Sequence, residues 1–366
     1  MRLLLAEPPS SEIMRNVAVH EAVSGSEQTE QKRPRNAKAL VVVALLGAAL
    51  LTALAATAYT DVGTIPGLPA LPPLVRFGIP VMRALLDLAA LATVGLSMLP
   101  KLLGFDQPAR TEPVLAKARP IAVITALVWM LSALFSLVLQ AMEASPGAPA
   151  TTSLVITYVN DVPAGPGLLA SAGGGLLCAV IGLLAVRFGE SVPTELRTIV
   201  ALLGLLPMPL TGHATDWQYH DFSMISMELH VVGAAMWVGG LAAVALFVAP
   251  QRGLLAEALP RFSKLAGLAL LVVGASGLFN GLMELVITPN AGLTGLVTTQ
   301  YGQILLGKAL CLVLLAVVGA QMRFRLVPRI ARHERTALLT WVTFEVAVMG
   351  VAYGLGVVLS RAPVIV

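Results

Sequence analysis

The stretch His230-Val-Val-Gly-Ala-Ala-Met-Trp-Val-Gly-Gly240 is apolar enough to lie in lipid, yet it carries a histidine. Seven residues make two helical turns, so His230 and Trp237 are predicted to share one face of a helix, with Gly233 beside them. A polar ring is costly in hydrocarbon and normally faces a bundle interior. The stretch therefore predicts a membrane helix with a functional histidine. A histidine that is hydrogen-bonded only for packing is the alternative.

Composition extends this interpretation to the whole chain. The 366 residues are 57% hydrophobic and 12% charged, with a mean hydropathy of +0.84, whereas soluble domains carry about 25% charged residues. Because the basic residues fall between apolar runs, the net charge of +4 does not indicate nucleic-acid binding, and no nucleic-acid partner is expected. Cys178 and Cys311 both lie inside apolar runs and are predicted to be packing residues.

The distribution of apolar runs predicts an all-α fold, a polytopic membrane helix bundle of about nine transmembrane helices. Each run is long enough to cross a hydrocarbon core that needs about 20 residues. Small-residue pairs at four-residue spacing, such as Gly350 with Gly354, predict close helix contacts. The nine predicted spans are 39–59, 79–100, 120–142, 167–188, 195–212, 224–249, 263–285, 301–323 and 338–360.

Basic residues predict the orientation of the bundle. They concentrate in the N-terminal segment and in alternate loops, which predicts a cytoplasmic N-terminus and, with an odd number of spans, an outside C-terminus. Residues 1–38 are polar and are predicted to form a disordered cytoplasmic tail. Residues 39–190 are predicted to form an N-terminal four-helix membrane region, and residues 195–363 a second membrane domain.

Three of the five histidines, His213, His220 and His230, cluster where the topology predicts the outer face. Met224 and Met227 lie between them, and Met227 shares a helix face with His230. Imidazole and thioether groups suit copper, and thioethers suit Cu(I) in particular. The cluster therefore predicts a copper site. The alternatives are methionines that fill gaps in the core and a His220 that is an ordinary surface residue.

Further polar residues lie deeper in the predicted spans. Asn280, Glu284, Lys308 and Glu345 follow His230 in a possible polar pathway toward the cytoplasm. An unpaired charge at mid-membrane costs about 3 kcal/mol or more, so these groups are expected to pair across helices or to line a path. Hydrogen bonds that only hold the bundle together are the alternative. In the second span, Arg83 and Asp87 are four residues apart and are predicted to pair and face inward.

The C-terminal half contains a series of motifs in a fixed order. They are Thr211-Gly-His-Ala214, Leu229-His-Val-Val-Gly-Ala-Ala-Met-Trp-Val-Gly-Gly-Leu241, Leu259-Pro-Arg-Phe-Ser-Lys-Leu-Ala266, Ser276-Gly-Leu-Phe-Asn280, Thr299-Gln-Tyr-Gly-Gln-Ile-Leu-Leu-Gly-Lys308 and Arg361-Ala-Pro363. By these motifs the chain resembles the copper resistance protein D (CopD) family over about residues 195–363. The first four spans resemble longer actinobacterial versions, in which this module precedes a CtaG-type oxidase assembly domain that these residues do not contain. The resemblance implies an inner-membrane protein of copper uptake or homeostasis, with His213 and His230 as copper contacts.

Three functions remain open at this point. The first is copper import or homeostasis across the bacterial plasma membrane, with the copper ion and the lipid bilayer as partners. The second is a membrane metallochaperone that supplies a cytochrome oxidase, with an outer copper carrier or an oxidase assembly protein as partner. The third is an electron carrier with a haem between His213 and His230. No enzymatic activity is expected, because no hydrolase, zinc-protease or nucleotide-binding motif occurs.

Overall fold

The computed structural model describes residues 38–60, 69–211, 220–288, 292–331 and 338–362, and all the regular secondary structure in these ranges is helical. The predicted tail lies outside them except for Lys38. Ten helices position the polar residues. They are α1 (Lys38–Tyr59), α2 (Pro73–Leu103), α3 (Pro108–Ala144), α4 (Thr152–Asp161), α5 (Ala164–Phe188), α6 (Thr194–Leu203), α7 (Asp221–Val248), α8 (Arg252–Ile287), α9 (Gln300–Arg329) and α10 (Leu338–Leu359).

Eight of these helices are long and apolar enough to cross a membrane, all but α4 and α6. They confirm the helical membrane bundle and eight of the nine predicted spans. The fifth predicted span, 195–212, is not one continuous helix within the described residues. Here α6 ends at Leu203, and turns and a 3₁₀ segment, Met208–Thr211, follow.

Proline chemistry explains why α6 is short. Pro207 and Pro209 follow Gly204, and proline lacks the N–H that a continuing helix needs. The Cα atoms of Gly204 and Gly174 approach so closely that a side chain on Gly204 would meet Gly174 and the Trp129 ring. Leu205 and Met208 are buried. The non-helical segment after Leu203 is therefore packed against other parts of the protein, as non-helical backbone at membrane depth must be.

Helix α2 is the central element of the bundle. In the most apolar windows of α2 and of its neighbour α7 67% of the residues are buried, against 22% for α1 and 17% for α8. Its backbone meets that of α7 directly, because a Cβ on Gly95 would lie 2.0 Å from the carbonyl oxygen of Gly239. The predicted pairing within this span is confirmed, since Nε of Arg83 donates to Oδ1 of Asp87 at 3.0 Å.

Helix α7 is wound unevenly. Two π turns, Ala235–Gly239 and Val244–Val248, interrupt its α-helical hydrogen bonding. The shared face of His230 and Trp237 was inferred from a uniform 3.6-residue period, and the first π turn alters that period at Trp237. Trp237 is buried in the core near α2, whereas His230 faces α8.

Helices α1 and α10 run parallel and in close contact. A Cβ on Gly350 would lie 2.6 Å from the carbonyl oxygen of Leu45, and one on Gly354 would lie 2.5 Å from that of Ala49. The predicted small-residue contact at this pair is confirmed. It fixes α10, and with it the residues that α10 contributes to the polar core.

Two ends of the bundle can be distinguished. We call the end where α2 finishes and α3, α6 and α8 begin the basic face, and the other end the opposite face. At the basic face Arg261 of α8 donates to the terminal carbonyls of α2 at Leu102 and Leu103, at 3.2 and 2.7 Å. The assignment of the basic face to the cytoplasm stays a prediction from the sequence.

Candidate metal centre and polar core

A row of polar side chains lines the contact between α7 and α8. Ser223 donates to Oδ1 of Asn280 at 3.3 Å, and Nδ2 of Asn280 donates to Ser226 at 3.0 Å. Ser226 in turn donates to the backbone carbonyl of Ser276 at 3.5 Å. This row starts near the opposite face and reaches His230 one turn further into the bundle. The predicted neighbours His230 and Asn280 therefore belong to one interhelical seam.

His230 is fixed through one of its two ring nitrogens. Its Nδ1 lies 3.1 Å from the carbonyl oxygen of Val273 and 3.1 Å from Oγ of Ser276. The Val273 carbonyl can only accept, and Ser276 already donates to Val272 at 2.6 Å. The network therefore assigns the proton to Nδ1, which leaves the lone pair on Nε2.

The ring packs over a glycine. A Cβ on Gly277 would lie 3.0 Å from Cε1 of His230, so a larger residue there would press on the ring. A histidine whose Nδ1–H is held by a carbonyl and whose Nε2 is unprotonated has the arrangement of a metal ligand with an outer hydrogen bond. The sequence pointed to His230, but only the packing shows which nitrogen can bind.

The other predicted ligands are only partly described. Met224 and Met227 lie on α7 between Ser223 and His230, and both are partly buried. His220 is at the start of this helix with its side chain outside the described residues, and His213 lies wholly outside them. Within the described ranges no group of three or more histidine, cysteine, aspartate or glutamate side chains is placed for a metal. Whether the loop completes the cluster stays a prediction.

Lys308 of α9 lies within electrostatic range of His230 of α7, its predicted pathway neighbour, and of Asp87 of α2, which the sequence did not indicate. In the described part of the chain no ion pair joins Lys308 to Asp87. Its Nζ lies 3.1 Å from the position of a Cβ on Gly356 of α10. Tyr353, one turn before this glycine, lies in the field of Arg83 and Asp87. We call Arg83, Asp87, Lys308 and Tyr353 the central charge cluster.

The remaining members of the predicted pathway lie elsewhere. Glu284 of α8 is close enough to Tyr301 of α9 to act on it electrostatically. Glu345 of α10 is 4% exposed, and within the described part of the chain it makes no hydrogen bond or ion pair. Lys308 is therefore within electrostatic range of His230 and Asp87, and in the described residues it makes no hydrogen bond or ion pair with Asn280 or Glu284.

A second charged network lies at the basic face. Arg119 of α3 donates to Glu112 at 2.6 and 2.7 Å and to Glu190 at 3.0 Å. Arg197 of α6 donates to the other oxygen of Glu190 at 2.7 Å and to Thr194 at 3.0 Å. Both arginines are buried. Glu190 thus joins α3 to α6, which stabilises the short helix that the sequence predicted as a full span.

Two family models match separate parts of the chain. The family model "Copper resistance protein D-like, N-terminal domain" matches residues 74–221, which contain α2 to α6, and the model "Copper resistance protein D" matches residues 256–359, which contain most of α8, all of α9 and α10. The central charge cluster therefore joins the two matched regions, since Asp87 lies in the first and Lys308 in the second.

Curated relatives are similar to parts of the chain. The copper transport protein CutJ of Bacillus subtilis (strain 168) is 35% identical over 121 residues, 32% of this chain and 21% of its own length. The inner membrane protein YebZ of Escherichia coli (strain K12) is 36% identical over 140 residues, 36% of this chain and 46% of its own. Copper resistance protein D of Pseudomonas syringae pv. tomato is 28% identical over 232 residues, which are 58% of this chain and 71% of the relative's own length. The chain thus spans less than half the length of the first two relatives. No solved structure matches it significantly.

Proposed function

Because this multi-pass bacterial membrane protein belongs to the copper resistance protein D family, we propose that it imports copper across the plasma membrane. Copper is the cargo, taken at the opposite face and passed through the bundle toward the basic face. The proposal assigns the chain no catalytic reaction. The similarity to CutJ, a copper transport protein, supports transport as the activity.

The observation that carries the proposal is the state of His230. Its Nδ1–H is committed to Val273 and Ser276, so Nε2 is the nitrogen that remains for a metal ion. A neutral imidazole is a good ligand for copper, and a thioether favours Cu(I). Met227 follows Ser226 on the same helix, and we assign it as the nearest thioether ligand. Met224, His213 and His220 are assigned as outer ligands that deliver copper to it.

The polar seam between α7 and α8 supports an entry route. Ser223, Ser226 and Asn280 offer oxygen and nitrogen atoms in a row from the opposite face to His230. Such groups are costly in lipid unless they are paired or lie beside a polar path. In this chain these groups are hydrogen-bonded to one another. The row that they form ends at His230, whose Nε2 is unprotonated.

Copper accumulation and copper content test the proposal together. His230→Ala should abolish copper-dependent accumulation in cells and remove copper from the detergent-purified protein, because the ligand nitrogen is lost. Leu229→Ala is the matched control, since its side chain lies next to His230 on α7 but is 54% exposed toward lipid. Unchanged accumulation in His230→Ala, at normal protein level in the membrane, would rule out the import role.

The same samples separate the other functions. A metallochaperone would bind copper through His230, leave cytoplasmic copper unchanged on deletion, and lower cytochrome oxidase activity. A haem carrier would show a Soret band that disappears with His230. An importer would bind copper and show no haem band, and it differs from a metallochaperone in that the cytoplasmic copper pool would depend on His230.

A further inference from the structure

A groove runs between α1 and α9 in the half of the bundle nearer the opposite face. Helix α10 forms its floor, because α1 packs on α10 at Gly354 and α9 packs on α10 at Leu355. The groove has a volume of about 630 Å³, within the range of pockets that hold small ligands. We call it the lateral slot, and its lining includes Leu51, Ala55, Tyr59, Gln303, Gly307 and Leu355.

Small residues in both walls keep the lateral slot open. Ala55 of α1 is exposed, and Gly307 of α9 has no side chain, although a Cβ there would reach Leu355 of the floor at 3.4 Å. Along α1 the slot extends from Leu51 to Tyr59, a rise of about 12 Å. One leaflet of the hydrocarbon core is about 15 Å thick. The slot therefore has the depth of a single leaflet.

The end of the slot at the opposite face is polar. The Tyr59 hydroxyl donates to Oε1 of Gln303, which joins the two walls. Nε2 of Gln300 donates to the Tyr59 carbonyl at 3.0 Å, and Nε2 of Gln303 donates to the Val297 carbonyl at 3.1 Å. An amide nitrogen carries two hydrogens, so each glutamine keeps one further N–H to donate. A tyrosine with polar neighbours is typical of the level at which lipid headgroups lie.

The physical chemistry of the slot indicates what fills it. Its open side is continuous with the lipid-facing surface of the bundle, where Leu51 is 70% exposed. Water is not stable in a groove with apolar walls, whereas an acyl chain gains free energy by burying its methylenes there. The spare amide N–H groups at the polar end suit the ester and phosphate oxygens of a glycerophospholipid, which accept hydrogen bonds. The slot thus matches such a lipid in depth and in the order of its apolar and polar parts.

We propose that the lateral slot binds one glycerophospholipid from the leaflet at the opposite face. One acyl chain lies between α1 and α9, and the ester or phosphate oxygens accept from Gln300 and Gln303. The bound chain fills the space between the two walls and holds α1 to the bundle, which matters because only 22% of the most apolar window of α1 is buried. This inference does not depend on the import function.

Native mass spectrometry of delipidated protein, titrated with dioleoyl phosphatidylglycerol, tests the proposal. The wild type should bind a first lipid more tightly than any later one. Ala55→Leu should bind that first lipid roughly tenfold more weakly, because the added side chain removes contacts worth about two chain methylenes. Ala58→Leu is the matched control, since it is the same change at an exposed position of α1 outside the slot, and it should equal the wild type.

Three outcomes would overturn the proposal. One is equal affinity for the first lipid in Ala55→Leu and Ala58→Leu, and another is a wild type that binds all lipids equally weakly. The third is a wild-type dimer that Ala55→Leu converts to a monomer with lipid binding unchanged, which would assign the slot to a second copy of the chain. Ala55→Met fills the same space with a more flexible side chain and replaces Ala55→Leu if that variant does not fold.

Discussion

Replacing Gly239 by alanine should force α2 and α7 apart and destabilise the bundle. A Cβ on Gly239 would lie 2.0 Å from the carbonyl oxygen of Leu91 and 3.1 Å from the backbone nitrogen of Gly95. Both neighbours are backbone atoms of a central helix, so neither can turn aside as a flexible side chain could. Ordinary van der Waals contact begins at 3.4 Å, so the two helices must move apart by more than about 1 Å to admit the new Cβ.

The magnitude follows from the packing that this separation would loosen. Overfilling a well-packed site costs about 1–3 kcal/mol, and the alanine itself returns up to about 1 kcal/mol of helix propensity. The clash here involves two rigid backbones, which favours the upper end of the cost. We therefore expect a net loss of about 2 kcal/mol in the free energy of unfolding.

Thermal and detergent-driven unfolding of the purified protein would measure this loss. Gly319→Ala is the matched control, because a Cβ at Gly319 of α9 would meet nothing within 4 Å. It should be neutral or slightly stabilising, since alanine favours helix. Equal stability of Gly239→Ala and Gly319→Ala would refute the inferred backbone contact between α2 and α7. Copper binding should fall with stability in Gly239→Ala, because the same helix carries His230.

Three further substitutions test other contacts. Glu190→Ala should lower the free energy of unfolding by roughly 2 kcal/mol, because the buried Arg119 and Arg197 lose a shared partner. The control Glu195→Ala removes an exposed pair with Lys101 and should leave the unfolding temperature unchanged. Equal effects of the two substitutions would contradict the buried network. Trp129→Phe should cost about 1 kcal/mol, since the indole donates to Ser171 at 2.9 Å in the core, and an unchanged unfolding midpoint would count against that bond. Ser276→Ala should weaken copper binding about tenfold through the loosened imidazole, and unaltered affinity in a copper titration would show that the backbone carbonyl alone positions the ring.

Hydropathy was sufficient to predict most of the helices. Eight predicted spans became long helices because a run of about 20 apolar residues has few stable alternatives in lipid. The fifth span shows where this reasoning fails. Its residues are apolar from Ile199 through Leu210, but Pro207 and Pro209 prevent the helix from continuing. The remaining backbone packs against α5 and does not form α-helical hydrogen bonds.

The candidate metal centre likewise combines features that the sequence predicts with features that only the fold decides. A histidine within an apolar helix was sufficient to single out His230, whereas the assignment of its proton depends on Val273 and Ser276, which are far away in the sequence. Lys308 was predicted to share one polar pathway with Asn280 and Glu284. The position of a residue along its helix does not specify the direction in which its side chain points, and Lys308 comes within electrostatic range of Asp87 on another helix.

The sequence by itself determined that the chain forms a membrane helix bundle, that it resembles a copper-related family, and that a few polar residues would lie within the apolar helices. These properties follow from composition and local spacing, because the cost of exposing polar groups to lipid acts on each helix separately. Only the tertiary structure decided which helices touch and which polar groups meet. Those contacts depend on close approach at small residues such as Gly95 and Gly239, and on helix rotations that bring Ser226 of α7 to Asn280 of α8.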